Sequence, residues 1–404
     1  MDKLPSSITK ASRKTIYLIT ATLITLTFIF TFSTSLRESS SIQQLWQQEN
    51  TAATGGSVNA DCIANTAVAH DRLVEKQEWE ECLSAESVPD TYLSIVIVTR
   101  MDDYAGNQHH RLQNFIDSAY LLAEHSKTTI ELLIVEWNPP SDRRRVIDSF
   151  HFRHSDYLTY RVIGIPKTIH EALPNRGNSP LHEFEGKNVG IRFARGEFIV
   201  CTNQDDIWSH NFLNALKSRV FEKNVIYLQR QDQHNIHDPL PPSIVRLPPF
   251  ADDDVLFSAC KLNDQDWGNY KLPEPLKVTT ENILKIADQA GDFTMAHRET
   301  WKVPRGYREA GGVAWMDIEF ICTAAWTFDI PVVYDEKGFT CHQDHQNIWE
   351  FNTEQHTDNK NIDMGEIMRK EKVYMNEEGQ WGLQNVDVWD LHLECTEFQG
   401  GLCW

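Results

Sequence analysis

The chain has no G-x-x-x-x-G-K-[S/T] loop, no G-x-G-x-x-G turn and no G-x-S-x-G elbow. The first two are the usual backbone cradles for nucleotide phosphates, and the third presents a strained serine nucleophile. Their absence counts against ordinary kinases and dinucleotide enzymes. No two cysteines stand in C-x-x-C spacing, so nothing resembles a Cys/His zinc site. There is no Asn-x-Ser/Thr sequon; the near match at Asn178 has Pro180 where Ser or Thr is required, so N-glycosylation is not expected. Positive charge is scarce. With 38 Lys and Arg against 58 Asp and Glu, the net charge is −20, which argues against nucleic acid as a partner. No internal repeat is present.

What the chain does have begins at its N-terminus. Lys3, Lys10, Arg13 and Lys14 precede Thr15–Leu36, a stretch without a single charge. A bilayer-spanning helix needs about 20 apolar residues, and the basic flank predicts a cytosolic N-terminus with the bulk of the chain across the membrane. A cleaved signal peptide is the rival reading, although its apolar region is usually shorter, about 7–15 residues. Residues 1–14 are then a cytosolic tail, 15–36 an anchor, and 37–90, rich in Ser, Gln, Glu and Ala, a stem. Within the stem, "AHDRLVEKQEWEECL" has helical character. Eight cysteines fit an oxidising lumen. The local pairs expected are Cys62 with Cys82 and Cys395 with Cys403, while Cys201, inside an apolar strand pattern, reads as a buried free thiol.

From Tyr92 onward the pattern changes. "YLSIVIVTR", "IELLIVEW", "YRVIGIP" and "EFIVCTN" are short, nearly continuous apolar runs of the kind that strands buried on both faces show. Helical spacing separates them, at Leu112, Phe115, Ile116, Ala119 and Leu122, and again in "EFEGKNVGIRFARG", which reads as a helix closed by Gly196. "SDRRRVIDSF" opens on a candidate helix cap at Ser141 or Asp142. Strand and helix alternate four times, which predicts an α/β fold with a mostly parallel sheet. Ligands of such sheets bind at the carboxyl ends of the strands. Thr99–Asp103, Glu136–Asn138 and Asn203–Asp206 all fall at those ends.

Three constellations carry chemistry. "TNQDD" sets Asn203, Asp205 and Asp206 at a strand end, where oxygen ligands suit Mn2+ or Mg2+ against a diphosphate; Asp and Asn are also common in plain polar turns. "AWMDIEF" sets Asp317 and Glu319 near a helix start. The helix dipole favours carboxylates there, and one held beside a substrate serves as a general base. Residues two apart lie on different faces, so at most one need face the site, and Asp317 is the choice. "CHQDHQ" supplies His342 and His345, either metal ligands or ordinary surface histidines.

Taken together, "SIVIVTRMDDY", "ELLIVEWNPP", "KNVGIRFARGEFIVCTNQDDIWS" and "GDFTMAHRETWKVPRGYRE" resemble GT-A fold glycosyltransferases, most of all family-2-like members, over about residues 92–350. The resemblance implies a GT-A type sheet in a domain of residues 91–350, followed by an extension over 351–404. It implies nucleotide contacts at Thr99, Arg100, Asp102, Asp103 and Glu136, and a D-x-D-like motif on Asn203, Gln204 and Asp205, with Asp206 adjoining. It also implies a catalytic base at Asp317 and a further metal ligand at His342 or His345. The function it implies is metal-dependent transfer from a nucleotide sugar to a glycan, glycolipid or protein acceptor, with inversion. The enzyme would be a single-pass type II protein of the Golgi or ER membrane. Two other readings stay open: a non-catalytic lumenal protein that binds nucleotide sugars or carbohydrate, and a nucleotidyltransferase, against which the missing Gly-rich loop speaks.

Overall fold

The apolar runs become strands β1 (Leu93–Thr99), β2 (Ile130–Trp137), β3 (Leu158–Ile165) and β4 (Phe198–Thr202), buried along almost their whole length. They are followed by β5 (Asp206–Trp208), β6 (Ile226–Gln229), β7 (Ile244–Val245), β8 (Phe293–His297), β9 (Val332–Asp335), β10 (Thr340–Gln343) and β11 (Glu394–Phe398). The main helices are α1 (Lys76–Leu83), α2 (Gln108–Ser126), α3 (Glu183–Phe193), α4 (His210–Ser218), α5 (Asp253–Ala259) and α6 (Met316–Thr327). The computed structural model describes residues 76–85, 91–173, 179–230, 241–260, 271–287, 290–309, 315–336, 338–345, 364–370 and 374–401. The expected anchor, 15–36, and most of the stem lie outside the described residues. No helix among the described residues is long and apolar enough to cross a membrane.

Eight strands form one sheet in the order β11-β3-β2-β1-β4-β8-β6-β9. The pairs β3–β2, β2–β1, β1–β4 and β6–β9 are parallel; β11–β3, β4–β8 and β8–β6 are antiparallel. The mostly parallel sheet flanked by helices therefore stands, with β8 running antiparallel between β4 and β6. A second sheet, β5-β10-β7, has three short strands.

Strand side chains alternate between faces, and β1 shows what that does. Ile95 and Ile97 enter one core with Leu112, Phe115 and Ile116 of α2, while Val96 and Val98 enter the other with Val189 of α3 and Ile321 of α6. The helix α3 sits unusually close to β1. A Cβ on Gly186 would stand 2.7 Å from a methyl of Val98, and one on Gly190 would overlap Val96. Positions four apart share a helix face, so the two glycines form the groove into which β1 packs.

Four features differ from the sequence reading. The helix of "EFEGKNVGIRFARG" ends at Phe193, before Gly196, because the backbone turns extended at Ala194 (φ −59°, ψ 140°) after its amide makes the last helical bond, to the Gly190 carbonyl. After Pro140 there is only a single 3-10 turn, Val146–Asp148; the buried Glu136 carboxylate takes the Val146 amide and the Arg145 side chain, which holds this segment against the end of β2. The helix placed in the stem, α1, packs on β11 from the C-terminal extension, and Trp79 Nε1 donates to Leu393 O at 2.8 Å. The cysteine pairing also changes: Cys82 bonds Cys395, 313 positions away, and Cys260 bonds Cys341. Neighbours in sequence suggested Cys62–Cys82 and Cys395–Cys403, but packing of α1 on β11 brings the Cα atoms of Cys82 and Cys395 to 6.0 Å. Cys62 and Cys403 lie outside the described residues. Cys201 is a buried free thiol, as its apolar setting suggested, and burial pushes it up to about 12.

Filling the α3 groove should be costly. Gly190→Ala is expected to lower unfolding stability by about 1–3 kcal/mol through overpacking, measured by urea denaturation, and an unchanged midpoint would show that α3 can lift off β1.

Candidate metal centre

β4 ends at Thr202, and the chain turns through Asn203, Gln204 and Asp205 into β5. Because β5 pairs antiparallel with β10, Asp206 stands directly opposite His342. Three residues further on, His345 returns to the same point. Asp205, His342 and His345 each present one donor atom, all within 4.8 Å of one another. His342 Nε2 lies 3.7 Å from Asp205 Oδ1, His345 Nε2 lies 3.5 Å from Asp205 Oδ2, and the two Nε2 atoms are 3.0 Å apart.

Behind this group stands Asp206. Its Oδ1 is 3.1 Å from His342 Nδ1, and its Oδ2 meets the Thr202 hydroxyl at 2.5 Å and the Asn203 amide at 3.2 Å. A proton on Nδ1 is held by that carboxylate, which leaves the Nε2 lone pair directed at the cluster. A carboxylate that orients a histidine in this way is the usual support for a metal ligand. Two imidazoles and one carboxylate suit a transition-metal dication and are a poor match to Mg2+, which prefers oxygen. Mn2+ fits better than Mg2+; Fe2+ and Zn2+ also accept these donors.

The surroundings are acidic and buried. Although burial opposes it, His342 is raised to about 9 by the carboxylates of Asp205, Asp206 and Asp292. Burial pushes Asp292 up to about 7, with Asp206 adding to the rise. Crowded carboxylates without a cation take up protons, and a bound cation reverses that logic. From α2, the Arg111 guanidinium meets Asp205 and also the carbonyls of Tyr104 and Gly106.

The other sequence-derived candidates occupy the same rim in different roles. The Thr99 hydroxyl meets Gln204 Oε1 at 2.6 Å, and Gln108 Nε2 reaches both of them. Arg100 and Asp102 form an ion pair at 2.9 Å. Asp103 accepts from the Gln108 amide at the start of α2. Glu136 is taken up by Arg145 and Val146, as described above. Asn203 Nδ2 donates to Asp292 Oδ1. Asp206, expected to bind metal, lies behind the cluster with its Oδ1 3.1 Å from His342 Nδ1. Between Asp317 and Glu319 the structure separates the two faces: Glu319 pairs with Arg308 at 3.2 Å, whereas Asp317 Oδ2 accepts the Gly291 amide at 2.8 Å. Burial pushes Asp317 up to about 6, against the pull of the Ile318 and Gly291 amides and of Lys187. Gly291 leads into Asp292, whose carboxylate holds Asn203, so one short segment joins Asp317 to the metal turn.

Arg111 and Gln108 were not singled out in the sequence, and Asp292 was marked only as part of the "GDF" motif. Arg111 is four residues before Phe115 and so shares its inward face, a signal that was available.

No protein-family profile matches the chain, and no characterised protein sequence is similar to it. Among solved structures, it is similar to the catalytic domain of Drosophila beta1,4galactosyltransferase 7 in complex with xylobiose (12% identity, 71% of this chain and 82% of that one, TM-score 0.35). It is similar to S. aureus TarS 1-349 (14%, 69% and 68%, TM-score 0.38). A third is GalNAc-T7 with UDP, GalNAc and Mn2+ (11%, 63% and 44%, TM-score 0.34).

Isothermal titration with Mn2+ tests the centre. Asp205→Ala should abolish binding, and Asp206→Asn should weaken it about 10–100-fold by loosening His342. Full affinity in Asp206→Asn would remove Asp206 from the support of the site.

Proposed function

We propose that the chain is a metal-dependent glycosyltransferase that moves a sugar from a nucleotide-sugar donor to an acceptor hydroxyl with inversion. The observation that carries this reading is a rim on which the Asp205, His342 and His345 cluster is linked through Asn203, Asp292 and Gly291 to the buried Asp317. A divalent cation, when bound there, supplies positive charge against a departing diphosphate.

The chain's own residues do the rest. Asp205, His342 and His345 hold the ion, and Asp206 keeps His342 oriented. Thr99, Arg100, Asp102 and Asp103 line the adjoining strand end, where the nucleoside would lie. Asp317 takes the proton from the attacking hydroxyl as its oxygen bonds the anomeric carbon; the bond from that carbon to the diphosphate breaks, and a nucleoside diphosphate leaves. A carboxyl near 6 is mostly ionised at neutral pH yet basic enough to accept a proton. Two disulfides among the described residues fit an oxidising lumen. With the charge-free stretch Thr15–Leu36, they support a type II arrangement in the Golgi or ER.

Thermal-shift measurements with UDP, GDP and CMP and their sugars, each with Mn2+ and with EDTA, identify the donor. A nucleotide at a hundredfold excess over its dissociation constant should add about 2.7 kcal/mol of stability, and only with metal. Asp317→Asn should keep that shift and lose transfer by at least about a hundredfold. Loss of nucleotide binding in this variant would reassign Asp317, and metal-dependent binding without turnover in the wild type would make the chain a binding protein.

A further inference from the structure

Lys187 is an ammonium inside the protein, with a side chain only 1% exposed. Burying a cation costs several kcal/mol unless partners replace water. Its partners are Glu183, one helical turn earlier, at 2.6 Å from Oε1, and the Gly291 carbonyl, also at 2.6 Å. Gly291 is thus gripped at both ends: its carbonyl by Lys187, its amide by Asp317 Oδ2 at 2.8 Å. The Asp317 carboxylate also crowds the Gly291 Cα. A Cβ here would stand 3.2 Å from Asp317 Oδ2, tighter than an ordinary contact.

We infer that Lys187 is a positioning residue that, through Gly291, fixes the place of Asp317 and keeps its carboxylate ionised. This rests on Asp317 being the base proposed above. A neutral side chain filling the same space would leave the Gly291 carbonyl without its donor and Asp317 without its neighbouring cation. Around the pair, Tyr307 faces Asp317 and Cys201, while Cys201, Glu183 and Asp292 face Lys187. Burial is the main effect that raises Asp317; the Ile318 and Gly291 amides lower it, and the Lys187 cation adds to them. The Glu183 carboxylate shares the ammonium and weakens its hold on Asp317.

The test is a pH titration of the Asp317 carboxyl carbon by NMR in the full chain labelled with carboxyl-13C aspartate. The resonance is assigned by its loss in Asp317→Asn. In Lys187→Met the midpoint should rise by at least one pH unit above its wild-type value. In Glu183→Gln, at a site one-third exposed, it should fall. A folded Lys187→Met with an unmoved midpoint overturns the inference. Should that variant not fold, an unmoved or raised midpoint in Glu183→Gln overturns it instead. The titration needs no substrate, so it separates from the functional reading: a coupled Asp317 in a protein whose Asp317→Asn variant still transfers sugar would remove the base and keep the Lys187 link.

Discussion

The hydrogen bond between Asp206 and His342 spans 136 positions of sequence at 3.1 Å, and the candidate centre is arranged around it. Asp206 also takes the Thr202 hydroxyl and the Asn203 amide. One carboxylate therefore locks the end of β4, the turn that carries Asp205 and the strand that carries His342. The Cys260–Cys341 disulfide fastens the residue just before His342 to the end of α5. A carboxylate buried this deeply is tolerated only when every oxygen is engaged. The requirement to satisfy Asp206 is thus what gives β5 and β10 their register and brings the two histidines beside Asp205.

A second constraint is charge. Asp205, Asp206, Asp292 and Asp317 are gathered along one rim, and Arg111 and Lys187 reach in from two helices on opposite faces of the sheet. Arg111 comes from α2 and answers Asp205. Lys187 comes from α3 and reaches Gly291, the neighbour of both Asp292 and Asp317. The two cations meet different parts of the rim, Arg111 beside the candidate metal cluster and Lys187 beside the segment that holds Asp317.

Much of the sheet was legible in sequence because its strands are buried on both faces and read as unbroken apolar runs. β1 to β4 and α2 were found that way. The direction of the antiparallel β8 depends on which neighbour it meets, and "GDFTMAH" says nothing of that. The small β5-β10-β7 sheet was not found: strands of two to four residues are shorter than any period can register. Helix expected after Pro140 gave way because Glu136, ten positions earlier at the end of β2, drew the Val146 amide to itself, a contact that helical spacing does not reveal.

For the candidate centre, the residue types were legible and their division of labour was not. Asn203, Asp205, Asp206, His342 and His345 were named as possible ligands from their clustering and from the family resemblance. That His342 uses Nδ1 for Asp206 and turns Nε2 toward Asp205 follows only from the register of β5 against β10. Likewise, two carboxylates in "WMDIE" had to lie on different faces by helical geometry alone, and only packing against Gly291 and Arg308 decides which is which. Local sequence determined what is apolar, what is charged and where strands end, because those follow from neighbours along the chain. Tertiary structure decided which carboxylate supports His342, which one joins the candidate metal cluster and which cysteines pair, because those contacts join segments from 81 to 313 positions apart.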